Sequence, residues 1–296
     1  MTARRRDRGR RAAIALAAGL APTLALTLAL TGVGRARADD GPTACATPLA
    51  DPVALPWRTT GLDAGRGACL RPGVALAFGG RALIDTPGFY GSLGADAEVS
   101  ARFTLGGIEW LAAARGSIGF VQNAVLKATE PGYGPLTIGA TVGRDRRWRD
   151  RPLRLGLTAR VELPATERRL GSTRLGGQLA ALVTWRPTSR WYLHARLGVI
   201  GERTWSALDA SGRAGGLIGG DVARGLGGGR LFVGLGVDAQ LGWYRAGLDH
   251  LAARVGVGVA IAGGWRTSLA VGMPVVGAER TDLAFVVAVT RGTRAP

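Results

Sequence analysis

Apolar residues recur at every second position in one stretch after another between residues 73 and 290. The clearest run sets Leu153, Leu155, Leu157, Ala159, Val161 and Leu163 against Arg154, Gly156, Thr158, Arg160 and Glu162. A second sets Leu231, Val233, Leu235, Val237, Ala239, Leu241 and Trp243 against Phe232, Gly234, Gly236, Asp238, Gln240 and Gly242. Successive side chains of a strand point to opposite faces, so this alternation predicts strands with one apolar and one polar face. The runs exceed the roughly five or six residues usual in soluble sheets and match the roughly 9–11 that cross a bilayer.

Twelve strands are expected, near residues 73–80, 95–103, 108–120, 135–143, 153–163, 174–186, 190–200, 214–224, 230–244, 251–262, 265–274 and 282–290. The connections alternate in length. Short ones at 104–107, 187–189, 225–229 and 263–264 lie between longer ones at 81–94, 121–134, 164–173, 201–213, 245–250 and 275–281. Short periplasmic turns and longer outer loops are the habit of outer-membrane barrels. The link 144–152 breaks the rule, with nine residues where a short turn belongs. The expected fold is therefore all-β, a transmembrane antiparallel up-and-down barrel of about 12 strands, with 10 to 14 as the range. Trp185, Trp191, Trp265, Phe232, Trp243 and Tyr244 fall at strand ends, where rings favour the membrane–water boundary. The alternative is that such rings cap the core of a soluble sandwich.

The chain's first residues fit export. Arg4, Arg5, Arg6, Arg8, Arg10 and Arg11 precede an uncharged stretch at 12–34, then Ala36-Arg37-Ala38 and Asp39-Asp40. That is the layout of a signal peptide cleaved after residue 38. An uncleaved anchor is the rival, but Pro22 interrupts the apolar run. Residues 39–72 carry Pro42, Pro48, Pro52, Pro56 and Pro72 without periodicity, and read as an irregular periplasmic extension ahead of a barrel at 73–296. Cys45 and Cys69, the only two cysteines, fall in this exported segment. A disulfide between them suits an oxidising periplasm and would contribute about 3 kcal/mol by loop closure. Free thiols or a lipidated Cys45 are the alternatives, and Pro42-Thr43-Ala44 makes a poor lipidation signal. Two cysteines supply no zinc framework.

The formal charge of +17 does not imply nucleic acid. Residues 1–38 hold eight arginines and one aspartate, a charge of +7, so +10 remains for the rest. Those basic residues are scattered among glycines and turns, with no basic helix and no aromatic RNA-binding motif. Gly234-x-Gly236-x-x-Ala239 lies inside an alternating strand and lacks the following helix of a dinucleotide site.

Candidate chemistry sits on the polar face. Strand parity turns Asp96, Glu98, Glu109, Glu162, Asp221, Asp238 and Asp282 inward, with Arg102, Arg115, Arg154, Arg160, Arg186, Arg196, Arg254 and Arg266. Seven acids opposite eight arginines could brace the barrel or line an aqueous path. His194 faces inward beside Arg196, and His250 follows Asp249 at a strand end. Neighbours on a strand point to opposite faces, so Asp249-His250 makes no catalytic pair. No catalytic, metal or cofactor residues are expected.

Gly132-Tyr133-Gly134-Pro135-Leu136-Thr137-Ile138-Gly139 resembles the Gly-x-Gly-Asp-Leu-x-x-Gly strand opening of the MetA-pathway phenol-degradation family of outer-membrane proteins, with Pro135 in place of the aspartate. About twenty residues on, the strand from Leu155 to Leu163 with Pro164-Ala165-Thr166 resembles that family's strand ending in Lys-x-Pro-Thr-Gly, without the final glycine. The resemblance covers roughly 90–290. It implies an outer-membrane barrel passing small, often aromatic, compounds and brings no catalytic residues. The expected function is passive passage of small molecules across the outer membrane of a Gram-negative cell. Its partners would be outer-membrane lipid, a solute the sequence does not identify, and the barrel-assembly machinery during biogenesis. A non-conducting structural or assembly barrel and a soluble periplasmic β-protein are the alternatives.

Overall fold

The computed structural model describes Cys45 and residues 68–70, 72–85, 90–122, 127–133, 136–167, 172–205, 210–227, 230–242, 247–261, 265–277 and 283–292. The expected signal at 1–38, with Trp243, Tyr244 and Asp282, lies outside them. The strands are β1 (Gly73–Asp85), β2 (Tyr90–Leu105), β3 (Ile108–Gln122), β4 (Lys127–Tyr133), β5 (Thr137–Trp148), β6 (Arg151–Glu167), β7 (Ser172–Trp185), β8 (Trp191–Trp205), β9 (Ala210–Leu226), β10 (Leu231–Leu241), β11 (Leu248–Ala260), β12 (Trp265–Gly277) and β13 (Leu283–Gly292). Chain neighbours pair antiparallel, except that β4 and β5 both pair with β3 instead of with each other, and β1 pairs with β13 from Gly73↔Gly292 to Ala82↔Leu283, which closes the sheet. β4 and β5 lie end to end against β3, so the barrel has twelve strand positions. At their junction Tyr133 pairs with Gly116 but Thr137 with Ala113, a one-residue slip between the two strands.

The faces follow the alternation. Val99, Leu197, Leu235 and Val237 are more than half exposed on the outer face, the apolar face of the alternation. Ala75, Ala77, Leu182, Leu217, Ala252, Ala270 and Val286 are buried on the inner face. The expected connections need two corrections. Residues 81–94, 121–134, 164–173 and 201–213 are not long loops: β1 and β2 stay paired to Asp85↔Tyr90, β6 and β7 to Glu167↔Ser172, and β8 and β9 to Trp205↔Ala210. Beyond the bilayer both faces meet water, so the apolar alternation stops while the hydrogen-bond ladder continues. The nine-residue link 144–152 is also absent. β5 and β6 pair to Trp148↔Arg151, and Arg149 and Asp150 turn the chain with φ of 50° and 57°, the left-handed pair a type I′ hairpin requires.

The ring of aromatics is partly as expected. Trp185, Trp191 and Trp265 sit at the short-turn end, joined by Trp148, whose ring meets Trp185 edge-on at 4.6 Å. Arg224 stacks on Trp191 at 5.3 Å and Arg291 on Trp265 at 5.5 Å, each from the directly opposite position on the next strand. Phe232 is a correction. It is fully buried with Tyr192 and Ala223, because its even position in β10 points inward with Asp238.

These faces set the cost of a charge on the outside. Leu235→Arg, at mid-strand, should lose about 2–4 kcal/mol of folding free energy in lipid vesicles, whereas Leu105→Arg, beside a turn, should lose only about 0–1 kcal/mol. Equal losses would contradict the placement of the membrane along the strands.

Candidate functional site on the inner wall

Two ion pairs span intervening strands by crossing a glycine. Asp221 on β9, Gly236 on β10 and Arg254 on β11 occupy one ladder row. Arg254 Nε donates to Asp221 Oδ1 at 2.9 Å, over a backbone without a side chain. One row away, Arg196 on β8, Gly219 on β9 and Asp238 on β10 repeat the arrangement, and Arg196 Nη2 donates to Asp238 Oδ1 at 2.5 Å. Arg254 also pairs with Asp238, which joins the four charges into one network. A Cβ at Gly236 would fall on Asp221 Oδ1, and one at Gly219 on Asp238 Oδ1. Glycine is therefore required at both positions by the side chains lying across them, at the cost a glycine brings to any strand.

The same device recurs. A Cβ at Gly139 would stand 2.9 Å from Arg160 Cγ, and one at Gly176 would stand 2.9 Å from Glu162 Oε2. Arg102 donates to Glu109 at 3.1 Å across the β2–β3 hairpin, with both side chains nearly inaccessible. Glu98 is buried at the same parity as Arg102, and Asp96 shares that parity in β2, its side chain lying outside those described.

A second cluster centres on the segment before β1. Ala68 is fully buried against Ala180 and Leu182, which face inward from β7. Its N–H donates to Thr184 Oγ1 at 2.8 Å, and its carbonyl accepts from Arg154 Nε at 3.0 Å. Arg154 also donates to Asp145 at 2.7 Å and to the Gly143 carbonyl at 3.2 Å. Gly156 leaves the space that Ala68 fills, since a Cβ there would come within 3.0 Å of the Ala68 Cβ. Cys69 is buried and bonded to Cys45, with Cα atoms 5.7 Å apart. Ala68 thus lies inside the barrel, against β6 and β7.

Thr184 Oγ1 also lies 3.0 Å from His194 Nδ1, and His194 is the ladder neighbour of Asp221. A hydroxyl, an imidazole and a carboxylate therefore stand in line on three adjacent strands. Thr184 takes the Ala68 N–H and Asp221 takes Arg254, so both end groups of this row are engaged structurally. The side chains of Asp249, His250 and Arg115 lie outside those described. Arg186 stacks over the Tyr192 ring at 5.4 Å, and Arg266 lies on β12. No group of three or more His, Cys, Asp or Glu residues suited to a metal occurs among the described residues.

The structure gathers Arg196, Asp221, Asp238 and Arg254 in one network, with His194 beside Asp221, and Arg102 with Glu109 in another. Arg154, Arg160 and Glu162 follow one another along β6. Sequence reasoning named these charged residues but missed Thr184, Tyr192 and Ala68. Even-numbered parity in β7 and β8 carries the signal for the first two. Nothing local carries it for Ala68.

No family model and no curated protein sequence matches the chain. Among solved structures, an outer-membrane channel of Pseudomonas putida F1 superposes with a TM-score of 0.56 at 12% identity, covering 83% of this chain and 99% of that one. The NanC porin gives 0.45 at 10% identity over 73% and 98% of the two chains. Outer membrane phospholipase A of Escherichia coli gives 0.42 at 10% over 75% and 94%. The chain is a closed antiparallel β-barrel, the fold of these outer-membrane proteins. Its particular likeness to the Pseudomonas channel is one of fold.

The glycine crossings predict a contrast between two alanine substitutions. Gly236→Ala should lower unfolding free energy by about 1–3 kcal/mol by displacing the Asp221–Arg254 pair. Gly116→Ala, with open space at its Cβ, should be neutral or slightly stabilising. Urea titration of the protein folded in vesicles measures both, and equal effects would contradict the crossing.

Proposed function

We propose that the chain is an outer-membrane channel for small solutes, with a lumen narrowed by the Ala68–Cys69 segment. The observation that carries this reading is the direction of the ion pairs. Among the described residues they run along the wall, between adjacent strands or over a glycine between next-but-one strands, rather than across the barrel. Eight-stranded barrels are filled by side chains and those of about 16 strands hold open water, so twelve strands give an intermediate bore. Charges held flat against the wall leave that bore to the inserted segment and a passing solute.

The solute class is small and partly apolar. Leu182, Leu217, Tyr192 and Phe232 bring apolar groups to the inner face, packed in among the charged rows. The resemblance to the phenol-degradation family supports the same class, with aromatic compounds among its members. The end groups of the Thr184–His194–Asp221 row hold the fold, so no catalytic role is assigned to it. Barrel-assembly machinery would insert the chain, as it does other barrels of this kind.

Planar-bilayer recording tests the channel. The full mature chain should show small conductance with weak ion selectivity, because its inner acids and arginines nearly balance. Deleting residues 39–70 should raise the conductance several-fold, and Arg154→Glu with Arg160→Glu should move selectivity towards cations. Silence in all three proteins, with folding intact, would contradict the channel and leave a structural barrel.

A further inference from the structure

The β5–β6 hairpin continues past the barrel's rim. β5 pairs with β3 only as far as Val142, and β6 with β7 only from Leu153, yet the two strands stay paired to Trp148↔Arg151. The five residues Arg144 to Trp148 extend about 17 Å along the strand at about 3.4 Å each. Every residue from 144 to 151 is exposed. Five arginines against two aspartates give the ribbon a charge of +3, and one aspartate, Asp145, is bonded to Arg154 of the inner wall. Arg144 and Arg151 carry no ion pair among the described residues.

The ribbon's faces are unequal. By strand parity Arg144, Arg146 and Trp148 continue the outer face on which Ile138 meets lipid, and Arg151 lies opposite Trp148 on the same face. Trp148 rests edge-on against Trp185 of the aromatic ring, which ties the ribbon to the wall at the membrane boundary. A two-stranded ribbon is marginally stable alone. This one is held by that ring contact and by the Arg154–Asp145 pair.

We propose that this face is a binding site for anionic phospholipid headgroups of the leaflet at the short-turn end. Headgroup layers extend the bilayer from about 30 Å to about 40–45 Å, so the ribbon is long enough to cross the layer on its side. Outward guanidinium groups of Arg144, Arg146 and Arg151 present forked donors to phosphate oxygens, and Trp148 takes the half-solvated position beside them. The stacked pairs Arg224–Trp191 and Arg291–Trp265 extend the same chemistry around the rim. Charge and ring together favour a lipid over a soluble phosphate, since a free anion gains nothing from the Trp148 face.

Native mass spectrometry of the full folded chain, released from nanodiscs holding equal phosphatidylglycerol and phosphatidylcholine, tests the site. The protein should retain phosphatidylglycerol preferentially. Each arginine near an anionic surface is worth about a fivefold gain in binding. Arg144→Gln with Arg146→Gln and Arg151→Gln should therefore reduce the preference by at least about tenfold. If the triple variant does not fold, Arg146→Gln alone should reduce it about fivefold. Equal retention of both lipids by the unaltered protein overturns the proposal, and is the result for a ribbon that meets a soluble acidic partner instead. An unchanged preference in the variants overturns the location. Displacement of the lipid by millimolar inorganic phosphate would make this a soluble-anion site and overturn the lipid assignment.

Discussion

Within a bilayer no water is available to satisfy a backbone N–H or carbonyl, so every strand must find a partner on both sides. That constraint explains the closure of β1 on β13 and the unbroken antiparallel order between them. It also explains why irregular pairing is confined to particular places. Among the described residues one slip falls between Tyr133 and Thr137 at the β4–β5 junction, register shifts fall at Gln240/Leu241 and at Leu251/Ala252, and another between Glu162 and Ala165 brackets Pro164. Proline cannot donate to the ladder, so the sheet absorbs it as a bulge.

Closure turns one face inward, and the inner face then has its own constraint: charges must be paired with little room. Glycine resolves it. At Gly219 and Gly236 the missing side chain lets an aspartate and an arginine two strands apart meet over the backbone. A buried ion pair recovers much of its desolvation cost only with good geometry, and losing one partner typically costs about 3–5 kcal/mol. The network is therefore as much a demand on the glycines as on the charges. At the short-turn end Thr184, Arg154 and Gly156 provide a socket for the backbone of Ala68, and the Cys45–Cys69 disulfide fixes the chain just beyond it.

Much of this was legible before the structure. Alternation gave all twelve strand positions, because a lipid-facing surface must be apolar and period two admits no other face. Parity likewise put Asp221, Asp238, Arg196 and Arg254 on one side. The pairings needed the register, since Gly219 and Gly236 stand opposite particular charges only once the ladders are set. The extended β1–β2 and β8–β9 hairpins were hidden because strands in water need no apolar face. The β5–β6 ribbon was hidden because Arg149-Asp150 lacks the glycine that usually marks a two-residue turn. Phe232 misled by residue type, while its even position already pointed it inward.

The account rests on a closed barrel held in the outer membrane. Cell fractionation followed by gel migration with and without boiling tests it directly. The protein should partition with the outer membrane and migrate faster unheated than boiled, as a barrel that keeps its ladder in detergent does. Recovery in the soluble periplasmic fraction, with migration indifferent to heating, would contradict it.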